Sequence, residues 1–426
     1  MLVLTIIFFA LMFLGAPVAF AIGISGFIFF VTDAAMPMSI GVQKVATMSQ
    51  SFPLLAVPFF VLAGHLMNES GITSRLFRFS SVAVGWMAGG LAQVAIVLST
   101  VMGGVSGSAV ADAAMEARIL GPTMIAKGYG KGFSAAAIAV GSLITATIPP
   151  SIGLILSGYV GNVSIGRLFL AGIIPGLMMM VALMTTTYVI AKRRGYVVAN
   201  SEKPTFGALM SAIWGAKWAL LFPIALVLAI RGGVFTPSEV GAFAVVYAVL
   251  VGFFAHREMT FEKLKRAFSH AISDIGLIMI IILMSGMVGF AIIYLQVPQG
   301  ISSWMLEGIT SPSMIVLVIL LFLLIAGCFI ESTVLVLLLT PIFVPIVRHV
   351  GIDPVHFGIL MMSIVTLGGM TPPVGVAMFA VCSLMNVKIE EYTVEAIPFV
   401  ATVVALIVLL LFTPGLVLWL PNMAFG

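Results

Sequence analysis

Three long stretches of this chain contain no charged residue, and they limit what it can fold into. They cover residues 278–293, 313–330 and 396–420. In a lipid bilayer every backbone amide and carbonyl needs a partner within the protein, so only helices and closed barrels can span it. Barrel strands are segments of about 10 residues with alternating hydrophobicity. The runs here are longer and apolar throughout, so we expect membrane helices.

The composition extends this conclusion to the whole chain. Of its 426 residues, 62% are hydrophobic and 8% are charged, with a mean hydropathy of +1.25. Soluble domains carry about 25% charged residues, so we predict an all-α polytopic membrane protein with no soluble domain. Since one crossing takes about 20 helical residues, the length allows roughly a dozen crossings. The predicted spans are 1–31 (broken near 15–17), 52–68, 82–101, 133–157, 168–191, 218–230, 239–255, 271–296, 305–324, 356–385 and 396–420.

The prolines and glycines of the two halves correspond at a single offset. Adding 223 residues carries Gly104 to Gly327, Pro149-Pro150 to Pro372-Pro373, and Pro175 to Pro398. A proline pair followed 25 residues later by a third proline in both halves indicates an internal duplication, which is common in transporters. We predict a first repeat over 1–200 and a second over 201–426, with scaffold and transport parts interleaved.

Each predicted repeat contains the same two special elements. A short segment after a polar Gly-containing break suggests a re-entrant hairpin, at about 103–126 in the first repeat and about 327–349 in the second. A longer span interrupted by the proline pair follows, at about 133–157 and about 356–385. The second basic segment, 256–266, is separated from the first, 192–194, by two predicted spans, which places both on one side of the membrane. Inverted repeats would instead place equivalent segments on opposite sides of the membrane, and the sequence does not resolve this conflict.

The proline pairs predict unpaired carbonyl groups at membrane depth. Two prolines remove two amide donors and disfavour helical geometry in the residues before them. Freed carbonyls together with Ser and Thr hydroxyls form a typical site for a monovalent cation, with Na⁺ as the natural candidate. The positive N-termini of the half-helices could receive an anionic substrate group. The alternative is a kink whose carbonyls are satisfied by Ser or Thr side chains and neighbouring helices.

Three ionisable residues lie in or beside apolar segments. Asp112 either faces a cavity or pairs with Glu116 and Arg118 at a wet end of the helix. Glu331 either caps a helix N-terminus or takes part in ion binding. His65 is interpreted as a hydrogen-bonded core histidine, with a proton relay as the alternative.

Four motifs together resemble a known family, the large membrane subunit of tripartite ATP-independent periplasmic (TRAP) transporters, of the DctM or SiaM kind. They are GVSGSAVADAA at 104–114, Ile148-Pro149-Pro150, GVFTPSE at 233–239 and Thr371-Pro372-Pro373. The resemblance covers essentially the whole chain. It implies a sodium-coupled symporter of elevator type in the bacterial inner membrane, built from two inverted repeats that each contain a re-entrant hairpin and a discontinuous helix.

The same resemblance implies partners and substrates. Such chains work with a small four-helix membrane subunit and a soluble periplasmic binding protein that delivers an organic acid. No small-subunit segment precedes residue 1, so we expect the unfused version. Family members transport C4-dicarboxylates, sialic acid and other acids, and these residues do not choose among them. The resemblance implies no enzymatic activity, no organic cofactor and no nucleic-acid partner.

The resemblance also implies particular site residues. The substrate region would involve Ser106, Ser108 and Asp112. One sodium site would use mainly backbone carbonyls of Gly103, Ser106, Thr145, Ile148 and Pro150, and the other would use Gly327, Gly368, Thr371 and Val374.

Two other functional classes are alternatives to a carrier. An ion channel would conduct without substrate, whereas a carrier saturates and couples. An intramembrane serine protease is suggested by the G-x-S-G string at 104–107, with His65 as a base for Ser106. A four-residue string is weak evidence in a chain rich in Gly and Ser, and it leaves the duplicated proline pairs unexplained.

Overall fold

The first half of the chain is a series of helices. The computed structural model describes residues 2–32, 36–196, 203–309 and 311–425, and no strand occurs within these ranges. The helices of the first half are α1 (Leu2–Phe13), α2 (Val18–Thr32), α3 (Met38–Ser49), α4 (Ala56–Glu69), α5 (Ile72–Val84), α6 (Gly90–Gly103), α7 (Ala109–Ile119), α8 (Gly121–Ala126), α9 (Lys131–Gly141), α10 (Leu143–Thr147), α11 (Ile152–Val160) and α12 (Ile165–Arg194).

The second half is helical as well. Its helices are α13 (Phe206–Arg231), α14 (Pro237–Leu250), α15 (Phe261–Tyr294), α16 (Val297–Gly308), α17 (Pro312–Gly327), α18 (Ser332–His349), α19 (Pro354–Gly368), α20 (Val376–Met385), α21 (Ile389–Phe412) and α22 (Pro414–Phe425). A π-helical turn, Val251–Ala255, continues α14. The all-helical membrane architecture predicted from the apolar runs is therefore confirmed.

The number of full crossings is smaller than the length alone suggests. Within the described ranges, seven helices are long and apolar enough to cross a membrane, or eight if the bent pair Lys131–Thr147 and Ile152–Val160 counts as one span. The predicted span 1–31 is two short helices separated at Gly15, as expected. The predicted span 218–230 is part of α13, whose 26 residues are sufficient for a crossing. Two candidate crossings, α13 and the continuous segment Ser238–Ala255, thus separate the two basic segments.

Two helical hairpins interrupt this series. In the first, α6 and α7 are connected by turn 1 (104–108), and the Ser99 hydroxyl of α6 donates a 2.9 Å hydrogen bond to Glu116 of α7. In the second, α17 and α18 are connected by turn 2 (328–331) and contact each other. The predicted hairpin segments cover each turn and its second arm. The first arms, 14 and 16 residues long, overlap the predicted spans 82–101 and 305–324 instead.

Each hairpin is followed by a helix with an irregular interruption. Break 1 (148–151) separates α10 from α11, and break 2 (369–375) separates α19 from α20. Both proline pairs, Pro149-Pro150 and Pro372-Pro373, lie in these breaks and contain cis peptide bonds. The helical segments before the breaks, which are α9 with α10 in the first half and α19 in the second, begin 223 residues apart, at Lys131 and Pro354. The order of elements therefore recurs at the offset seen in the sequence.

Contacts between the halves also recur with the two halves exchanged. Helix α7 packs against α20, and its counterpart α18 packs against α11, the counterpart of α20. Likewise α9 packs against α21, while α19 packs against α12. Outside this group, α4 packs against α14 and α15, and α15 also contacts α2, α3 and α18. The hairpins and breaks thus lie together, beside the group formed by α2, α3, α4, α14 and α15.

Candidate functional site

Four of the described helices begin at the edge of one cavity. It has a volume of about 180 Å³ and lies between the two hairpins, the helices that flank the two breaks, and α15. The helices that begin there are α7, α11, α18 and α20, two from each half of the chain. The lining residues are Gly107, Ser108, Ala109, Val110, Ala146, Ile152, Gly153, Ile278, Ile281, Glu331, Ser332, Thr333, Met362 and Val376.

The helix starts of the first half present donor groups to this cavity. Ser108 and Ser151 are the N-cap residues of α7 and α11, and each hydroxyl accepts a hydrogen bond from an amide three residues later. The first amides of a helix have no partner within it. In α7 these are the amides of Ala109 and Val110, both of which line the cavity. Unpaired amides and the positive ends of helix dipoles favour a negatively charged ligand.

The second half has a charged cap at the equivalent position. The carboxylate of Glu331 accepts hydrogen bonds from the amides of Thr333 and Val334 at 2.8 Å and 3.3 Å. It also accepts from the hydroxyls of Ser332 and Thr333, each at 3.0 Å. Glu331 is therefore a helix cap, one of the two roles that its sequence position suggested, and it stands at the wall of the cavity.

Turn 1 packs directly on break 1. A Cβ atom at Gly103 would lie 3.0 Å from Ile148 Cβ and 3.2 Å from Thr145 Cα. Gly107 has a φ of +65°, which favours glycine, and a side chain there would collide with the Pro150 carbonyl oxygen. The structure thus brings together these residues of the predicted first sodium site.

Ser106 and Thr145 of the predicted first sodium site form a hydrogen-bonded group with Asp112. Asp112 is buried, and its carboxylate accepts a 2.7 Å hydrogen bond from the Ser106 hydroxyl. Asp112 also interacts with the side chain of Thr145, whose hydroxyl donates to the Ser99 carbonyl at 3.0 Å. The cavity lining includes Ser108 but neither Ser106 nor Asp112. Of the predicted substrate residues, only Ser108 thus lies at the cavity.

Glu116 is a second buried carboxylate of this hairpin, outside the predicted site residues. It is fully buried one helical turn after Asp112, and Ser99 donates to its Oε1 atom. Its Oε2 atom has no hydrogen-bond partner among the residues that the structure describes. Arg118 is exposed, so the alternative Asp112–Glu116–Arg118 cluster at a wet helix end is not formed. The signal that could have identified this pair is its spacing of four residues, which places both carboxylates on one face of a helix.

Turn 2 packs on break 2 in the same way. A Cβ atom at Gly368 would lie 2.6 Å from Gly327 Cα, and the Gly375 amide donates to the Cys328 carbonyl at 2.9 Å. Cys328 is a half-buried part of this turn. Val374 is 39% exposed. Because its side chain is a hydrocarbon, only its backbone carbonyl could contribute to a cation site.

Hydroxyl groups satisfy part of break 2. Thr371 donates to the carbonyls of Leu367 and Gly368 at 2.6 Å and 3.0 Å. The buried Tyr392 of α21 donates to the Met370 carbonyl at 2.7 Å. This is what the kink alternative predicts. The Leu367 and Gly368 carbonyls also accept from the amides of Met370 and Thr371, at 3.0 Å and 2.9 Å, so both lone pairs of each are engaged. The Thr371 hydroxyl oxygen and the Met370 carbonyl remain as oxygens that can accept a monovalent cation.

The two residues of the protease alternative have separate partners. Ser106 donates to Asp112, whereas His65 Nε2 lies 2.7 Å from Asp274 Oδ2 on α15. His65 also stacks on His270. A nucleophilic serine requires a hydrogen bond to its base, and these contacts direct both side chains elsewhere. His65 is hydrogen-bonded, as expected, although its side chain is 29% exposed rather than fully buried.

Comparison with known proteins decides the family. A family model described as the tripartite ATP-independent periplasmic transporter, DctM component, matches residues 5–416. The chain belongs to this family. The resemblance found in the proline and glycine motifs is thereby confirmed.

Two curated TRAP proteins illustrate the relationship. The chain is 34% identical to the sialic acid TRAP transporter large permease protein SiaM of Vibrio cholerae, over 98% of this chain and 97% of that one. It is 35% identical to the isethionate TRAP transporter permease protein DctMQ of Oleidesulfovibrio alaskensis, over 96% of this chain. The match spans 64% of the length of that longer protein.

Solved structures show the same fold at low sequence identity. The YdaH transporter of Alcanivorax borkumensis superposes with a TM-score of 0.67 at 12% identity, and the match covers 90% of each chain. At this identity the likeness concerns the fold alone.

Proposed function

We propose that this chain is the large permease component of a transporter that couples sodium entry to the import of an organic acid anion. The observation that carries the proposal is the cavity at which α7, α11, α18 and α20 begin. Two of these helices start with neutral Ser caps and direct amides at the cavity, which suits a carboxylate or sulfonate group. Membership of the TRAP family makes transport, rather than enzymatic chemistry, the natural use of such a cavity.

The substrate class is an organic acid. The names of relatives refer to sialic acid, isethionate, 2,3-diketo-L-gulonate and C4-dicarboxylates. All of these are anions at neutral pH, in agreement with a cavity that presents helix N-termini.

Sodium is the proposed coupling ion at two positions. Gly103, Ser106, Thr145, Ile148 and Pro150 would hold one ion, and the negative charge of Asp112 beside Ser106 would help to retain it. A second set, Gly327, Gly368, Thr371 and Val374, would hold the other ion. Both sets are next to the anion cavity, since turns 1 and 2 contribute residues to its wall. A bound cation there would stabilise a nearby anion electrostatically.

The partners follow from the family. The proposed assembly contains a small membrane subunit and a periplasmic protein that delivers the acid, in a bacterial inner membrane. One supporting observation is the relative named DctMQ, a permease longer than this chain.

The transport movement is proposed to be of elevator type, with two repeats of inverted topology. The reciprocal contacts α7 with α20 and α11 with α18 support a two-fold relation between repeats. The hairpins and breaks would move together against the group formed by α4, α14 and α15. Gly64 of α4 lies close to Ser106, so this boundary runs beside turn 1.

The proposal is tested with purified protein in lipid vesicles together with its two partners. We expect uptake of a labelled organic acid, supplied by the binding protein, only when sodium is higher outside. Equal uptake with potassium or with a proton gradient alone would contradict sodium coupling. Current in the absence of acid would favour a channel.

A further inference from the structure

The two halves of the anion cavity differ in charge. On one side, α7 and α11 begin after the neutral residues Ser108 and Ser151. On the other side, α18 begins after Glu331, whose side chain lines the cavity. A cavity formed by two related halves could offer an anion site in each half, but here a carboxylate of the protein itself occupies one of them.

The hydrogen bonds show the same difference. Glu331 engages the amides of Thr333 and Val334, which are the donors that a ligand carboxylate would need at α18. At α7 the corresponding amides are those of Val110 and Ala111. Ala111 donates to the Ser108 hydroxyl at 3.5 Å, whereas the amides of Ala109 and Val110 have no partner inside the helix. They line the cavity together with Ile152 and Gly153 of α11. An acidic group of a ligand is therefore stabilised at the α7 and α11 side.

A second acidic group would be placed close to Glu331. Like charges repel each other strongly where water is scarce. A carboxylate also accepts hydrogen bonds and cannot donate them. The part of a ligand that best satisfies the cavity wall at Glu331 is thus a hydrogen-bond donor, and a hydroxyl or an ammonium group fits this requirement.

We propose that Glu331 sets the polarity of the substrate, so that the transported acid has one acidic group and carries a hydroxyl or ammonium group at its other end. This inference rests on the proposed function, because it assumes that the cavity holds the transported acid. It selects hydroxylated or amino-substituted monoacids over dicarboxylates. The selection works by repulsion of the competing ligand as much as by attraction of the preferred one.

Two probes of equal chain length test the inference. They are 4-hydroxybutanoate and succinate, which differ only in whether the far end is a hydroxymethyl group or a carboxylate. Their apparent dissociation constants are measured with the purified full-length protein in sodium buffer, from the shift of its thermal unfolding temperature. We expect the hydroxy acid to bind at least about tenfold more tightly than succinate.

Variants locate the cause of this preference. Glu331→Gln keeps an oxygen that can accept from the α18 amides but removes the charge, so the preference should fall to about twofold or less. Glu331→Asp retains the charge and should retain the preference. The matched control is Glu239→Gln, which makes the same change at the N-terminus of α14, where Glu239 accepts from the Thr236 amide at 2.7 Å. Glu239 is outside the cavity lining, so this variant should behave like the parent.

The contradicting results are specific. Equal affinity for the two acids in the parent protein, or an unchanged preference in Glu331→Gln, overturns the inference. Absence of a shift with either acid overturns it as well, because a cavity with the proposed groups accepts a four-carbon hydroxy acid. These results leave the proposed function untouched, because that function is tested separately by sodium-dependent uptake of an organic acid into vesicles.

Discussion

Gly368 lies where turn 2 touches break 2, and a single methyl group there tests whether that contact matters. A Cβ atom at this position would lie 2.6 Å from Gly327 Cα and 2.9 Å from the Cys328 amide nitrogen. Cβ atoms do not approach backbone atoms this closely in native structures. Gly368→Ala must therefore push turn 2 away from α19 and widen the predicted second sodium site.

The size of the effect follows from two opposing terms. Overpacking of a well-packed site costs about 1–3 kcal/mol, whereas replacing Gly by Ala within a helix gains about 1 kcal/mol. The matched control is Gly276→Ala in α15, an exposed helical position at which a Cβ would meet no atom of the described residues within 4 Å. The control variant has the favourable Gly-to-Ala contribution without the overpacking cost. The free energies of unfolding of the two variants should therefore differ by about 1–3 kcal/mol.

Thermal unfolding of the purified variants, with and without sodium, measures this difference. We expect Gly368→Ala to unfold at a lower temperature than Gly276→Ala and to lose most of the stabilisation by sodium. If the two variants unfold at the same temperature and respond equally to sodium, the close packing of turn 2 on break 2 has no functional meaning, and the reasoning is wrong.

Three further predictions concern individual contacts. Thr371→Ala should weaken the apparent sodium affinity several-fold, since a lost ligand contact costs about 0.5–3 kcal/mol. Ile148→Ala loses no side-chain oxygen and should leave the sodium affinity nearly intact. Sodium titrations of thermal stability measure both, and an unchanged sodium affinity in Thr371→Ala would support a plain kink. Asp112→Ala should abolish uptake at normal membrane levels, and near-normal uptake would make Asp112 structural. Ser99→Ala removes the donor to buried Glu116 and should lower the free energy of unfolding by about 1–3 kcal/mol, an effect that should shrink when Glu116→Gln is also present.

The prolines make much of the fold predictable. Residues with special backbone requirements occupy the same places in both halves, so the positions of Pro149-Pro150 and Pro372-Pro373 in the sequence are enough to locate both breaks. The long apolar runs identify the class of protein for a similar reason, because a bilayer leaves few ways to satisfy a backbone.

The first arms of the hairpins are less predictable. Hydropathy measures how apolar a segment is, and α6 is as apolar as a crossing helix although it has only 14 residues. What shortens it is Gly89, whose φ of +72° places a left-handed residue just before α6. A single glycine among 43 carries little signal of this kind.

Parts of the site depend on contacts between distant residues. The bond from Tyr392 to the Met370 carbonyl joins α21 to break 2, and local sequence patterns do not indicate it. Burial of Glu116 without a basic partner likewise depends on how α7 packs. In contrast, the capping role of Glu331 has a local signal, because a negative charge directly before a helix is stabilised by the helix N-terminus.

The measurement that tests the account most directly is acid binding at constant ionic strength while sodium replaces potassium. The account places a monovalent cation at turns 1 and 2, beside an anion cavity that those turns help to form. Equilibrium dialysis of a labelled organic acid against the purified protein should therefore show tighter binding as sodium increases, and sodium should bind more tightly when the acid is present, by the same factor. Equal acid affinity in sodium and potassium would contradict the account.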